Sequence, residues 1–303
     1  MAPPILHHFD WSPYAEKVRV LLGIKGLAWR SVQIPLVMPK PDLTALTGGY
    51  RKTPVLQLGA DVYCDTSCIA EELEARWPKP SLYPDGGAGL GRALAGWGDA
   101  FFTAGAGLSM GLNDQLPPDL VQDRREFFTH MDFDRLAANA PHLFGQAIAH
   151  ADLLERQLAD GRPFLLGAAP GLADATAWFV VWMLRGFVAS SATLLARCTR
   201  IAAWEARLRA IGHGERSEIE AAAALAEARA AVPCPVAGVA ADDPSGLRAG
   251  QLVTVTPDDY GKVPVTGELV GLDAARISIA REDARAGRVH VHFPRLGYVV
   301  GAA

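Results

Sequence analysis

Apolar positions in the first 80 residues alternate between two periods. Ile5 to Phe9 is a short apolar run with strand character. Ser12-Pro13 follows, a capping residue ahead of a proline at the first helical position. Val18, Leu21 and Leu22 continue at helical spacing, and Gly23 and Gly26 mark the end. The capping box is incomplete, because Ala15 rather than Glu16 stands at the third helical position. Ser31 to Ile34 predicts a second strand and Asp42 to Leu46 a short helix. Val55 to Leu58 and Val62 to Cys64 flank Gly59-Ala60-Asp61 as a hairpin. Ser67 to Trp77 predicts a third helix, stopped by Pro78 and Pro80. The order β-α-β-α-β-β-α predicts a small α/β domain with a mixed sheet over residues 1–80.

Residues 86–231 read as almost wholly helical, from Gly86 to Ala231. The expected helices are Ala88 to Met110, Leu143 to Ala159, Leu172 to Ala189, Thr193 to Ile211 and Glu215 to Ala231. The one from Leu172 is apolar nearly all round, which predicts a buried central helix. Its start, Gly171-Leu172-Ala173-Asp174, puts an acid where it can bond back to the cap residue's N–H. The alanine-rich stretch from Glu215 reads as a solvated helix leading out of the bundle. Past Pro233-Cys234-Pro235 the period changes to two. Val253, Val255, Val263, Val265, Ile277, Ile279, Val289, Val291 and Phe293 alternate in turn-separated runs. Residues 235–303 therefore predict a small antiparallel β module of barrel or roll type.

Composition narrows the function classes. Half of the 303 residues are hydrophobic, enough for a sizeable core. The 29 basic and 33 acidic residues leave a formal charge of −4, which argues against a basic nucleic-acid protein or a grip on anionic membranes. The β module carries six arginines and Lys262 against eight carboxylates, so it has no basic field of its own. No uninterrupted apolar stretch is long enough to span a bilayer, and the N-terminus lacks a signal-peptide pattern. Four cysteines without a C-x-x-C pair do not form a disulfide or metal framework, so a reducing, cytoplasmic setting is expected.

Three segments carry chemistry. Phe9-Asp10-Trp11-Ser12-Pro13-Tyr14-Ala15-Glu16-Lys17-Val18-Arg19 places a hydroxyl at a helix start. Tyr50-Arg51-Lys52-Thr53-Pro54-Val55-Leu56 places a proline before a strand. Asp65-Thr66-Ser67-Cys68-Ile69-Ala70-Glu71-Glu72-Leu73 places an acid and a hydroxyl at another helix start. In this order, and followed by a helical region with Gly171-Leu172-Ala173-Asp174, they resemble the cytosolic-type glutathione S-transferase family of the serine type. The resemblance covers roughly the first 230 residues. That family usually has Ser or Thr where Gly171 stands, and the β module is outside its usual pattern. The resemblance implies a thioredoxin-like domain, an all-α helical domain, glutathione as co-substrate, a two-fold homodimer and a role in detoxification.

Each site residue has a chemical and a plain structural reading. Ser12 sits where unpaired N–H groups favour an anion. Its hydroxyl can stabilise a thiolate or simply cap the helix, and the two are compatible because a capping oxygen keeps its hydrogen free. Tyr14 is the substitute donor, or a wall of the cleft. The resemblance implies a cis Thr53-Pro54 bond whose exposed main chain pairs with the cysteinyl part of glutathione; the alternative is an ordinary turn. Asp65 and Thr66 fit the γ-glutamyl ammonium and carboxylate, or cap the helix. Lys40, Arg51 and Lys52 are candidates for the glycine carboxylate, or solvated charges. Phe101, Phe102 and Met110 line a hydrophobic acceptor pocket or belong to the core.

Other residues limit the chemistry. Cysteine-type relatives have the thiol where Ser12 stands. Cys64 and Cys68 read as buried, so thiol–disulfide chemistry is disfavoured. His7 and His8 read as core or interface histidines. His290 and His292 share one strand face at a spacing that could begin a metal site, but no third ligand is evident, and no metal is expected. The expected function is transfer of the glutathione thiolate to a small hydrophobic electrophile. The alternatives are a non-enzymatic glutathione-binding or interaction protein on this fold, and a glutathione-dependent isomerase or dehalogenase. The β module could cover the cleft, bind a partner or extend a dimer interface.

Overall fold

The computed structural model describes residues 2–303 except Asp85, Gly86 and Asp114, so the boundary placed at Gly86 lies outside the described residues. The N-terminal order is β1 (Ile5–His8), α1 (Pro13–Ile24), β2 (Ala28–Gln33), α2 (Pro41–Thr47), β3 (Val55–Leu58), β4 (Asp61–Cys64) and α3 (Thr66–Arg76). β1 pairs with β2 in parallel and with β3 antiparallel, and β3 forms the expected hairpin with β4. All four β1 residues are buried, as a central strand covered on both faces requires.

The helical region comprises α4 (Ala88–Gly111), α5 (Pro118–Phe127), α6 (Ala140–Gln157), α7 (Leu172–Phe187), α8 (Ser191–Leu194) and α9 (Thr199–Ile211). α5 was not foreseen; its polar run lacks an apolar stripe, and only Leu120 and Asp123 are buried. The single helix expected from Thr193 to Ile211 is two, α8 and α9. α7 is the buried central helix. Asp174 starts it, with Oδ2 accepting from Gly171 N–H at 3.0 Å and Oδ1 from Leu165 N–H and Trp204 Nε1 at 2.9 and 2.8 Å. A side chain at position 171 would stand 2.6 Å from the Leu82 carbonyl oxygen, which explains the glycine there. Among the described residues no helix is long and apolar enough to cross a membrane.

The stretch expected as one solvated helix from Glu215 is corrected. Glu215–Glu218 is β5, parallel to β2, and only Ala221–Ala230 is helical, as α10. α10 does not lead outward. Ala224, Leu225 and Ala228 are buried within a cluster that includes Ile5 and Val32.

The C-terminal strands are β6 (Leu252–Pro257), β7 (Val265–Leu272), β8 (Arg276–Asp283), β9 (Gly287–Pro294) and β10 (Tyr298–Ala302). They pair antiparallel in the order β10-β6-β7-β8-β9. They do not close into a barrel of their own. β9 joins β4 in parallel, giving a ten-stranded sheet, β10-β6-β7-β8-β9-β4-β3-β1-β2-β5. The alternating valines and isoleucines that predicted these strands share one buried cluster with Ile5, Val55 and Val62 of the N-terminal strands. The outer edge of β4 is thereby paired instead of being left open.

Candidate active site

A cleft of about 930 Å³ opens between the N-terminal strand ends, α4, α7 and the C-terminal loops. Ser12, Thr53, Pro54, Asp65 and Thr66 all face it, together with Tyr14, Phe102 and Met110. Phe101 does not. It is fully buried on α4 and stacks on His150 at 5.1 Å, so the pocket role expected for it gives way to core packing.

Ser12 has extended backbone and caps α1, its Oγ accepting from Ala15 N–H at 3.2 Å. Among the described residues its hydroxyl hydrogen has no acceptor, so the donor remains free at the cleft wall. Tyr14 is committed elsewhere. Its hydroxyl donates to Asp99 Oδ1 at 2.7 Å, and its ring packs on Phe102 and Phe179. Burial, with the Tyr260 and Asp99 groups beside it, pushes the Tyr14 hydroxyl well above the usual phenol range.

The Thr53-Pro54 peptide is cis. Among the described residues neither the N–H nor the C=O of Thr53 is paired, which leaves both open to an extended ligand backbone. The Thr53 hydroxyl accepts from Lys40 Nζ at 3.3 Å. Lys40 is 5 % exposed, and burial brings its ammonium down to about 8. Of the three candidate cations it alone has no carboxylate within ion-pair distance among the described residues. Arg51 pairs with Asp123 at 3.0 Å, and Lys52 pairs with Asp259 at 2.6 Å while lying 4.4 Å above the Tyr260 ring.

Asp65 adopts a positive φ of 76° and caps α3, Oδ1 accepting from Ser67 N–H at 2.8 Å. Its Oδ2 accepts from Tyr298 Oη at 3.1 Å, and that hydroxyl shares a 2.8 Å bond with Tyr50. Thr66 Oγ1 accepts from Lys17 Nζ at 3.2 Å, and burial lowers the Lys17 ammonium below its usual range. Cationic, anionic and hydroxyl groups thus meet at the N-terminus of α3, where helix N–H groups add positive potential.

Sequence reasoning missed Lys17, Asp99, Tyr260 and Tyr298. Lys17 and Asp99 lie one turn or more inside helices, where a charge reads as solvated. Tyr260 lies in the loop between β6 and β7 and Tyr298 opens β10; an aromatic within Pro257-Asp258-Asp259-Tyr260-Gly261 was the available signal. The β module contributes Asp259, Tyr260 and Tyr298 to the lining of the cleft. The histidines of β1 are core residues. His7 bonds Gln57 at 2.8 Å and His8 bonds Ser31 at 3.1 Å, and burial lowers them to about 4 and about 3. Cys64 and Cys68 are buried, and burial pushes both thiols up, away from nucleophilic thiolate.

Comparisons with known proteins bear on this arrangement. Residues 6–81 match the glutathione S-transferase N-terminal domain, and residues 134–207 match the glutathione S-transferase C-terminal domain. A probable glutathione S-transferase of Oryza sativa subsp. japonica is 28 % identical over 212 residues, 66 % of this chain and 81 % of the rice protein. A GST-like protein from Pseudomonas syringae, known from its crystal structure, is 38 % identical with a TM-score of 0.80, covering 100 % of both chains, the C-terminal strands included. A glutathione transferase of Methylobacterium radiotolerans, crystallised in complex with glutathione sulfonate, shares the fold at 23 % identity and TM-score 0.50, covering 72 % of this chain and 98 % of its own. With two matched domains in order on either side of the cleft and a relative aligned from end to end, the chain belongs to the glutathione S-transferase family.

Proposed function

We propose that this chain binds glutathione in the cleft and transfers its thiolate to a small hydrophobic electrophile. The carrying observation is that the free Ser12 hydroxyl, the unpaired Thr53 main chain and the Asp65–Thr66 helix start all face one cavity. The cysteinyl backbone pairs with Thr53. The γ-glutamyl end lies at Asp65 and Thr66, and the glycine carboxylate lies near Lys40. This order sets the sulfur at Ser12, whose hydroxyl donates to the thiolate. Each unit by which the thiol pKa falls is worth about 1.4 kcal/mol. The thiol proton leaves to solvent. The sulfur then forms a bond to the electrophilic carbon, by addition or with expulsion of a leaving group. Holding the tripeptide at both ends makes the step effectively unimolecular. Phe102, Met110, Phe128 and Phe187 supply the apolar side of the cleft for the acceptor.

The test is calorimetric titration with reduced glutathione on the wild type and Ser12→Ala, read together with thiolate absorbance. Binding accompanied by a thiolate signal that fades in the variant supports the reading. No binding at millimolar glutathione removes it.

A second reading is a binding protein without transferase turnover. It is favoured by one feature: both oxygens of Asp65 are already engaged within the chain. Isomerisation or dehalogenation on the same cofactor would be separated by product analysis. The family expectation of a homodimer is supported by Leu90 on α4 and by Ile148 and Leu153 on α6, all about half exposed, and light scattering decides it. Detoxification in the cytoplasm is the setting we propose for this activity.

A further inference from the structure

Where β4 pairs with β9 in parallel, the register sets Asp61 beside His290 and Tyr63 beside His292. Alternate residues of a strand share one face, so Asp61, His290 and His292 project from the same side of the sheet. Their ligand atoms all lie within 4.8 Å of one another. Asp61 Oδ1 is 3.0 Å from His292 Nε2 and 4.0 Å from His290 Nδ1. The latter nitrogen is buried and unpaired among the described residues. Behind His292, its Nδ1 bonds the Ser278 hydroxyl of β8 at 2.8 Å, and its ring stacks on Tyr63, which together hold Nε2 toward Asp61. Cys234, in the exposed segment after α10, borders this group without its thiol joining the three atoms that lie within 4.8 Å of one another. Its N–H donates to Asp61 Oδ2 at 2.9 Å.

We propose that Asp61, His290 and His292 hold one divalent cation of the zinc class, clipping the C-terminal strands to β4, with Cys234 turning its exposed thiol in as the fourth ligand. Two imidazoles, a carboxylate and a thiol are the ligand types that tetrahedral zinc takes. Bond lengths of about 2.0–2.3 Å require neighbouring ligand atoms about 3.3–3.7 Å apart. The two separations from Asp61 Oδ1 bracket that range and all three atoms lie within 4.8 Å, so side-chain adjustments of about 1 Å bring them together. Ser278 supplies the outer hydrogen bond that orients a ligating histidine. Arg76 Nη2 lies 3.7 Å from Cys234 Sγ. Carboxylate and thiolate together balance the two charges of the ion. A bound cation would also give His290 Nδ1 the partner it lacks. The site lies outside the glutathione cleft, and its residues take no part in the thiolate chemistry.

The test uses the full chain, stripped with chelator under reductant and free of glutathione, titrated with Co²⁺ and then Zn²⁺. The expected result is one Co²⁺ per chain, with the visible bands of tetrahedral cobalt and a near-ultraviolet thiolate charge-transfer band. Zn²⁺ displaces it and raises Tm. His290→Gln, which keeps the side chain's bulk, weakens binding at least tenfold, and Ser278→Ala weakens it about tenfold. Cys234→Ser removes the charge-transfer band, while His142→Ala, at an exposed position on α6, changes nothing. Absence of stoichiometric binding, or equal affinity in His290→Gln, overturns the site. A charge-transfer band that survives in Cys234→Ser overturns Cys234 as the fourth ligand.

Discussion

The N-terminal strands and the C-terminal strands lie in one sheet but bring polar groups to the cleft in different ways. In the N-terminal part each site residue stands at a helix start or beside the proline loop: Ser12 before α1, Thr53 before β3, Asp65 and Thr66 at α3. Their positions follow from local chemistry, because a capping side chain must sit within one turn of the N–H it satisfies. In the C-terminal part Tyr260 stands in the loop after β6 and Tyr298 opens β10, neither with a local reason to face the cleft. They reach the cleft because β9 docks on β4 and carries both over Asp65 and Lys52. A site built from caps is written locally, whereas a wall built by strand docking exists only after long-range pairing.

The largest expected effect comes from separating the two parts. Phe293 is fully buried between Tyr50 and Tyr298. Phe293→Ala should cost about 3–5 kcal/mol, measured by urea unfolding. Because one buried cluster spans both strand sets, fluorescence and circular dichroism should report a single transition. Two transitions would show that the C-terminal strands fold as an independent unit.

Acid should act first on the N-terminal strands. His7 and His8 are neutral in the fold, held at about 4 and about 3 by burial, against an ordinary 6.5. Between those values and 6.5 the unfolded chain binds more protons, so stability falls as pH drops below about 6.5. The cost reaches roughly 2 kcal/mol per histidine at pH 5. A Tm that stays flat from pH 7 to 5 would break this assignment.

Ser12→Ala should slow conjugation about 10–100-fold, the value of a hydrogen bond to a charged group of about 1.5–3 kcal/mol. Its stability cost, from the lost cap, should be only about 1 kcal/mol. Comparing rate with unfolding free energy separates the chemical role from the cap. Equal losses in both would reduce Ser12 to a cap.

Tyr298→Phe removes the bond to Asp65 and should weaken glutathione about fivefold, near 1 kcal/mol, with little change in kcat. This sharpens the comparison directly, because it asks whether the C-terminal part tunes a site the N-terminal part builds. The smallest effect concerns Lys40. With its ammonium at about 8, glutathione affinity should decline a few-fold as pH rises through that value and the cation is lost. The same residue favours its neutral form in the fold, so its own contribution to stability improves between about pH 8 and its unfolded value of about 10.4. A Lys40→Met variant should show no such decline in affinity.

The sequence by itself determined the elements whose causes are local. Ser12-Pro13 wrote the start of α1, and Gly171 with Asp174 wrote the start of α7. The period-two valines and isoleucines wrote β6 to β9, and the three motifs wrote the ligand-facing ends of the N-terminal strands. It misjudged Glu215–Glu218, whose polar residues are strand only because β2 offers a free edge to pair with, and Phe101, since the same helical spacing serves core and cleft alike. Tertiary structure alone decided that the last strands extend the first sheet, that Tyr298 meets Asp65, that Lys40 is the candidate cation without an ion pair among the described residues, and that Asp61 stands beside His290 and His292. The reason is physical: caps and periodicities act across a few residues, while the docking of β9 on β4 joins groups more than two hundred positions apart and Lys40 is buried by residues as distant as Asp123.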